Sequence, residues 1–310
     1  MKIVYLVSGK FDYFAATNPD SGPQYAEDIG LKWEKYTGEL ESDGCIYILD
    51  QRMTPDEIEH LKKVGESKVG IRIVFRFVDP FYETEGNSVF TRLAFAWSTR
   101  TNSALLSGYQ PKELAALLQE SYGAERFHVS PYPYVAKFEK HRPWVERRRK
   151  VIISGNSAGG FYPARTFARH KRKTSLRWRL MSADLNHPGY MAGKSGGKTG
   201  DKYLEYLSEF KMMYVCPGRS ALEFMKYREC GYAGCVPVGP APTGFPSEAA
   251  DCLLSFDWVD FRSHLQVLSS AGSEELQGRA ERYRAAMRSA RDPDKLRNDL
   301  MLWLASVFHS

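Results

Sequence analysis

Cysteine is scarce in this sequence, and its spacing excludes the common cysteine-based sites. The chain has five cysteines, an odd number, and no two of them stand in a C-x-x-C pair. Disulfide frameworks and zinc or redox sites need paired cysteines at characteristic spacings. We therefore expect buried free thiols and a reducing, cytoplasmic location.

Long apolar runs are also lacking. No stretch reaches the roughly 18–20 residues that span a bilayer. The apolar start of the chain, residues 2–7, ends at Ser8-Gly9-Lys10. It is too short for the core of a signal peptide, and no small-residue cleavage site follows. We interpret it as the first buried strand of a folded domain.

Two frequent site motifs are missing as well. The pattern G-x-x-x-x-G-K-[ST] does not occur, which disfavours a P-loop NTPase. No cluster of His and Asp has metal-ligand spacing, and Asp-x-Asp occurs only at Asp292-Pro293-Asp294, where a helix break is the better interpretation. We therefore expect no metal ion and no bound cofactor.

What the chain does contain is an ordinary globular composition with a mild positive charge. Of its 310 residues 43% are hydrophobic, and 43 Lys and Arg against 37 Asp and Glu leave a formal net charge of +6. This is enough apolar material for one large or two modest cores. The charge suits an enzyme that handles phosphates or works near an anionic membrane, and by itself is too weak to imply nucleic-acid binding.

The order of the predicted elements divides the chain into two similar halves. Strands are predicted at residues 2–8, 45–50, 69–78, 127–129, 150–156, 176–181, 212–216 and 236–238, and helices at 25–36, 54–64, 111–121, 163–172, 202–210 and 221–231. Alternation of strand and helix predicts parallel sheets. We therefore predict an α/β fold of two Rossmann-like βαβ domains facing across a cleft, with ligands at the carboxyl ends of the strands.

The predicted boundaries are an N-terminal domain at 1–140, a linker at 141–149, a C-terminal domain at 150–272 and C-terminal helices at 273–310. The linker ends in the run Arg147-Arg148-Arg149, and Lys150 follows at the start of the C-terminal domain. We interpret the arginine run as solvated, with an anionic acceptor or a membrane as the alternative contact. The last helix, from Leu296 to Val307, has apolar residues at helical spacing. Core packing, back across the N-terminal domain, is a better interpretation of that helix than a membrane anchor.

The segment from Tyr214 to Val238 is the most informative part of the chain. It predicts a strand, a glycine turn, a helix, a second glycine turn and a strand. The first turn, Gly218-Arg219-Ser220, precedes the helix, and free N–H groups at a helix N-terminus bind anions such as a diphosphate. Lys226 and Arg228 follow on different faces of the helix, so we do not expect both to reach the ligand.

Glu229 lies near the apolar end of the same predicted helix. A carboxylate at that place can accept both hydroxyls of a ribose, as acidic residues do in dinucleotide-binding folds. The alternative is an ordinary βαβ crossover in which Glu229 is merely solvated.

A second glycine turn, Gly155-Asn156-Ser157, leaves the first strand of the C-terminal half and precedes a helix that carries Arg165. A strand that opens into a Gly/Ser loop can cradle phosphate, and Arg165 in the first helical turn can reach it. The alternative is a flexible loop at the entry to the domain.

Residues 150–240 resemble the nucleotide-sugar-binding stretch of GT-B glycosyltransferases, especially exostosin-like and related bacterial polysaccharide enzymes. The matching residues are Pro217-Gly218, Arg228, Glu229 and Gly234-Cys235-Val236-Pro237-Val238. The resemblance implies that Glu229 binds the nucleotide ribose. It also implies that the turn after the first C-terminal strand, with its basic residue, neutralises the leaving diphosphate. The family's usual pair of glutamates eight apart is incomplete, because position 221 is Ala221.

The implied activity is a metal-independent transfer of a sugar from a nucleotide-sugar donor to a glycan or lipid-linked acceptor, as in polysaccharide biosynthesis. The N-terminal domain would be the acceptor side. Candidate bases there are Asp12, Asp50, Asp79 and His128, all in or next to predicted strands, and Asp12 and His128 are our choices. A retaining enzyme needs no such base.

Other functions stay open at this stage. The chain could glycosylate modified DNA bases, with the linker and the Arg165–Arg179 region on the phosphate backbone. It could instead bind a nucleotide-sugar without transfer, act as a partner subunit, or be an epimerase of the same fold. A cytoplasmic location with a peripheral membrane contact is compatible with all of these. The donor sugar, the nucleotide, the acceptor, the stereochemical outcome and the oligomeric state are not determined by the sequence.

Overall fold

The computed structural model describes residues 2–9, 22–40, 44–67, 70–77, 89–109, 114–155, 162–185, 200–218, 221–256 and 259–308. The strands are β1 (Lys2–Val7), β2 (Lys32–Lys35), β3 (Cys45–Asp50), β4 (Arg72–Phe77), β5 (Ser103–Ser107), β6 (Phe127–Val129), β7 (Arg148–Ser154), β8 (Ser182–Leu185), β9 (Phe210–Tyr214) and β10 (Val236–Val238). The helices are α1 (Gly22–Asp28), α2 (Pro55–Ser67), α3 (Val89–Trp97), α4 (Leu114–Tyr122), α5 (Pro163–Thr174), α6 (Leu176–Met181), α7 (Gly200–Leu207), α8 (Met225–Ala233), α9 (Ser247–Ala250), α10 (Phe261–Ser270), α11 (Ser273–Ala290) and α12 (Pro293–Phe308).

The chain folds into two compact units. The first unit comprises Met1–Pro133 and Pro293–Ser310, and the second comprises Tyr134–Asp292. The segment from residue 273 onward is therefore divided, because α11 belongs to the second unit and α12 to the first.

The first unit is built on a six-stranded parallel sheet in the order β2-β1-β3-β4-β5-β6. Both faces of the sheet are covered, since alternate residues of β1 enter different apolar clusters. Val4 and Leu6 pack in one cluster, whereas Tyr5 and Val7 pack in the other. A strand whose two faces are both buried has apolar residues at successive positions. This explains why apolar and polar residues do not alternate in residues 2–7.

Helix α12 closes one face of this sheet. Its buried residues Leu296, Leu300, Leu304 and Phe308 recur at intervals of four and belong to the same cluster as Tyr5 and its neighbours on the sheet. The helix is thus a core element of the first unit, as its apolar spacing predicts.

The second unit has a four-stranded parallel sheet in the order β10-β9-β7-β8. Two apolar clusters again lie on its two faces; Ile152 and Met213 are in one, Val151 and Met212 in the other. The predicted fold class, an α/β protein with two parallel-sheet domains, is therefore confirmed.

Three predicted elements are wrong. Residues 176–181 form a helix rather than a strand, and Ser175 caps it by accepting a hydrogen bond from the Trp178 amide (3.3 Å). The helix predicted at 25–36 is the short helix α1 followed by strand β2. The helix predicted from Ala221 begins only at Met225, because Ala221 has a φ of +55°, which a right-handed helix does not allow.

The arginine run before β7 is not simply a solvated linker. Arg147 is buried, and its guanidinium donates to the carbonyl oxygens of Ala233 (2.9 Å) and Gly234 (2.6 Å). Arg148 already belongs to β7. All five cysteines are buried, and none of them forms a disulfide bond, as expected.

Within the described part of the chain, no helix has the length and apolarity that would be needed to cross a membrane.

Candidate functional site

A buried polar cluster lies at the carboxyl edge of the sheet in the second unit. Strand β7 ends at Ser154, whose side-chain oxygen is 2.5 Å from the hydroxyl of Tyr203 on α7. The Tyr203 hydroxyl in turn donates to Oε2 of Glu229 on α8 (3.0 Å). Burial and the Glu229 carboxylate raise the pKa of Tyr203 well above its usual value, so this hydroxyl stays protonated and remains a donor.

Lys226 and Glu229 form a buried ion pair on one turn of α8. The Lys226 ammonium is 2.5 Å from Oε2 of Glu229 and 2.9 Å from the Tyr203 hydroxyl. Glu229 is 4% exposed and Lys226 6%. Both contacts of the carboxylate use the same oxygen, so the side chain is held in one orientation while its Oε1 takes part in neither contact.

Arg165 on α5 brings a second cation to the same place. It is 3% exposed, and its guanidinium carbon lies 4.2 Å from the ring centre of Tyr162. Gly155 follows β7 with a φ of +105°, and a Cβ there would lie 2.6 Å from Arg165 Nη1 and 2.9 Å from Lys226 Cε. Arg165 and Lys226 therefore both pack against the backbone of Gly155, and no side chain fits between them.

Arg169, one turn later on α5, holds this strand end from the other side. Its Nη2 donates to the carbonyl oxygen of Gly155 (2.7 Å), and its Nε donates to Oδ1 of Asp184 (2.8 Å). The charge of Arg169 is thus balanced by the Asp184 carboxylate. Arg165, Lys226 and Glu229 together contribute two positive charges and one negative charge, so the centre of the cluster is net positive.

Cys216, just after β9, is a further member of the cluster. Burial raises the pKa of its thiol more than the neighbouring Arg165 and Lys226 lower it. A neutral buried thiol is a packing group and a poor nucleophile.

The structure brings together four of the residues proposed from the sequence, namely Gly155, Arg165, Lys226 and Glu229. Gly218 lies in the turn after β9, where its carbonyl oxygen accepts from the Ala221 amide (2.9 Å). Arg228 is buried on α8. Six other proposed residues lie outside the described residues, namely Asp12, Asp79, Asn156, Ser157, Arg219 and Ser220.

Tyr203 and Ser154 were not proposed from the sequence. Tyr203 reaches Glu229 from 26 positions away. Its short helix was recognised, but no local pattern indicates that one tyrosine on it meets a carboxylate on another helix.

The first unit has its own buried polar cluster at the carboxyl edge of its sheet. Arg76 near the end of β4 is fully buried and donates from Nη1 to the Tyr5 hydroxyl (2.9 Å), which donates to Oδ2 of Asp50 (2.7 Å). Its guanidinium carbon lies 3.6 Å from the ring centre of Tyr25 and 4.9 Å from that of Tyr132. Such a cage compensates a buried cation by hydrogen bonding and cation–π contact.

Asp50 is fixed within this cluster. Arg52 donates to Oδ1 from Nε (3.0 Å) and to Oδ2 from Nη2 (3.1 Å). Burial alone would raise the pKa of Asp50, but the charge and hydrogen bonds of Arg52 and the Tyr5 hydroxyl lower it below its ordinary value. A carboxylate bound on both oxygens is a weak proton acceptor, so the structure gives Asp50 a structural role.

His128, the other base proposed from the sequence, lies on β6. Its ring stacks on Trp303 of α12, with centroids 5.1 Å apart and planes 19° from parallel. Burial lowers the pKa of His128, and Asp299 partly offsets this. The imidazole is therefore neutral at physiological pH.

Among the described residues no group of three or more His, Cys, Asp or Glu side chains is placed to hold a metal ion.

No protein-family model matches the chain, and no curated protein sequence matches it significantly. Solved structures do match. HepE from Anabaena, in complex with UDP and glucose, aligns over 99% of this chain and 100% of HepE, with a TM-score of 0.56 and 12% identity. HepE is also known in complex with UDP-glucose, and that structure aligns with a TM-score of 0.55.

Two trehalose-phosphate synthases are also similar in structure. The E. coli trehalose-6-phosphate synthase (OtsA), bound with UDP-2-fluoro glucose, aligns over 85% of this chain and 73% of its own, with a TM-score of 0.53 and 14% identity. The UDP-forming α,α-trehalose-phosphate synthase of Burkholderia vietnamiensis aligns over 87% and 72%, with a TM-score of 0.54 and 12% identity. At such identities the likeness shows the fold alone: an α/β chain with six- and four-stranded parallel sheets that matches GT-B structures.

Proposed function

We propose that this protein is a glycosyltransferase that takes a sugar from a nucleotide-sugar donor and transfers it to a glycan or lipid-linked acceptor. The observation that carries the proposal is the convergence of Arg165, Lys226 and Glu229 at the end of β7 in the second unit. Open α/β sheets bind ligands at the carboxyl ends of their strands, where this cluster lies.

The two cations suit the diphosphate of such a donor. Arg165 and the Lys226 ammonium are preorganised by burial and by contact with Gly155, so they need little rearrangement to receive an anion. Negative charge grows on the diphosphate as the bond to the sugar breaks, and fixed cations in a dry site stabilise that change. Asn156, Ser157, Gly218, Arg219 and Ser220 keep their proposed part as further phosphate contacts from the two glycine turns.

Glu229 suits the ribose. Lys226 and Tyr203 hold Oε2 of its carboxylate, so Oε1 is the oxygen that would accept the ribose hydroxyls. A carboxylate that is already fixed loses little conformational freedom on binding. Arg228, next to Glu229 and buried, is proposed to support the helix at this point.

Uridine diphosphate is the nucleotide we favour. HepE is known with UDP and with UDP-glucose, and OtsA with UDP-2-fluoro glucose. These proteins share the fold of this chain, and the donor is therefore proposed to be a UDP-hexose. The resemblance of residues 217–238 to exostosin-like enzymes supports a polysaccharide acceptor.

Transfer is proposed to proceed without a metal ion, because Arg165 and Lys226 supply positive charge at the diphosphate. An inverting reaction would also need a base from the first unit, and Asp12 and His128 remain the proposed candidates. A retaining reaction would need neither.

A thermal-shift screen of UDP, GDP, CMP, dTDP and ADP tests the proposal. A nucleotide that binds the folded state raises the melting temperature by mass action, so UDP should give a clear shift in the presence of EDTA. Glu229→Ala should abolish that shift, whereas Glu205→Ala, an exposed glutamate on α7, should keep it. If no nucleotide shifts the wild-type protein, the proposed function is wrong. A shift with UDP that is never followed by sugar transfer to any acceptor would make the chain a binding protein instead.

A further inference from the structure

Residues 163–181, which form helices α5 and α6, contain seven Arg and Lys and no Asp or Glu. Two of the seven lie at the end of β7: Arg165 in the candidate site, and Arg169 on Asp184 and the Gly155 carbonyl. The other five, Lys171, Arg172, Lys173, Arg177 and Arg179, lie within nine positions of one another. This concentration of one charge is not explained by the proposed donor site.

Helix α6 adds two exposed leucines to these cations. Leu176 and Leu180 are 61% and 63% exposed and lie one helical turn apart, on the same face. Trp178, between them, is fully buried and donates from its indole nitrogen to the carbonyl oxygen of Ala168 (3.0 Å). The tryptophan therefore fixes the rotation of the helix, and the two leucines must face outward.

The neighbouring helix α10 extends this surface. Arg177 donates from Nη2 to Ser269 Oγ (3.0 Å), so α10 lies beside α6. Val267 on α10 is 49% exposed, and residues 261–270 contain no acidic residue. We name the surface formed by residues 170–181 and α10 the basic–apolar surface.

Single exposed leucines are normal on soluble proteins, but these are arranged among several cations. Exposed apolar side chains at the centre of a basic helix face are typical of helices that lie in a membrane interface, where leucines enter the acyl boundary and Lys or Arg contact lipid phosphates. A duplex nucleic acid would use the cations and gain nothing from Leu176 and Leu180. We propose that the basic–apolar surface docks on an anionic lipid bilayer.

Co-sedimentation of the full chain with vesicles tests this proposal. Vesicles of phosphatidylglycerol and phosphatidylcholine should bind the protein, pure phosphatidylcholine vesicles should bind it at least tenfold more weakly, and added salt should weaken the binding. The readout needs no nucleotide and no transfer activity, so it fails or succeeds independently of the proposed function.

Two double variants locate the surface. L176S/L180S should weaken binding to the anionic vesicles about tenfold or more, because the apolar contact is lost. K173A/R179A should weaken it about tenfold as well. The matched controls are L117S/L302S, which changes exposed leucines of the first unit, and K62A/K63A, which changes exposed lysines of α2; both should bind like the wild type.

Equal binding to both kinds of vesicle would overturn the proposal, and so would a failure to bind either. If L176S/L180S bound the anionic vesicles as strongly as the wild type does, that would also overturn the proposal. Retention of a short DNA duplex at physiological salt, lost in K173A/R179A and kept in L176S/L180S, would assign the cations to nucleic acid instead.

Discussion

Gly155 in the candidate site is constrained both by its backbone conformation and by the two cationic side chains that contact it. Its φ of +105° is costly for any residue with a Cβ, and the space where a Cβ would go is taken by Arg165 and Lys226. Glycine is thus required here for two independent reasons.

Gly155→Ala separates those reasons when it is compared with Gly44→Ala. Gly44 also has a positive φ (+73°), but a Cβ added there would have no atom within 4 Å. Both variants should lose about 1–2 kcal/mol of unfolding free energy through backbone strain. Only Gly155→Ala should in addition weaken UDP binding, by about tenfold or more, because Arg165 and Lys226 must shift. Equal UDP affinity in the two variants, measured by calorimetry, would contradict the site.

Single residues could be predicted from the sequence where a local pattern marks them. Arg165, Lys226 and Glu229 follow glycine turns between a strand and a helix, and the structure brings them to one place. No local sequence pattern indicates the contacts of Arg76 and Tyr203, because their partners, Tyr5 and Glu229, lie 71 and 26 positions away. Contacts of that length arise from the folded sheet and are not encoded in any short window of sequence.

At the level of elements, the error at α6 has a clear physical cause. Leu176, Trp178 and Leu180 alternate with arginines, a period of two that is typical of a half-buried strand. The competing signal was the cap at Ser175, which fixes the first turn of a helix only six residues long. Strands β1 and β3, which are buried on both faces, were predicted correctly because a short continuous apolar run is typical of a strand inside a parallel sheet.

Helix α12 gives a prediction at the same scale. Leu300→Ala and Leu304→Ala should each destabilise the first unit by about 2–5 kcal/mol, since both side chains are fully buried in its core. Leu302→Ala, on the same helix and 72% exposed, should change little. Amide hydrogen exchange should become faster in β1 and β3 of the two core variants while β7 and β9 keep their protection. Faster exchange confined to the second unit would show that α12 is wrongly assigned.

At the scale of the whole molecule, the two halves repeat one plan. Each is a parallel sheet covered on both faces, with buried arginine and carboxylate side chains at its carboxyl edge. Repeated strand–helix alternation made this architecture predictable. The apolar spacing of α12 also favoured packing on the N-terminal domain, whereas the amphipathic pattern of α11 does not by itself show which core that helix joins.

The central claim is that the second unit holds a nucleoside diphosphate with Arg165 and Lys226. Calorimetric titration of UDP, UMP and uridine in EDTA tests it most directly. The wild-type protein should bind UDP most tightly. Arg165→Ala should weaken UDP binding on the order of 10- to 100-fold and leave uridine binding nearly unchanged. The UDP affinity of Arg165→Lys should lie between those of Arg165→Ala and the wild type.

Arg262→Ala, which changes an exposed arginine of α10, is the control and should titrate like the wild type. A wild-type protein that binds UDP no better than uridine would contradict the account. An Arg165→Ala protein whose affinity for uridine falls as much as its affinity for UDP would contradict it too. The arginine would then act on the whole fold rather than on the diphosphate.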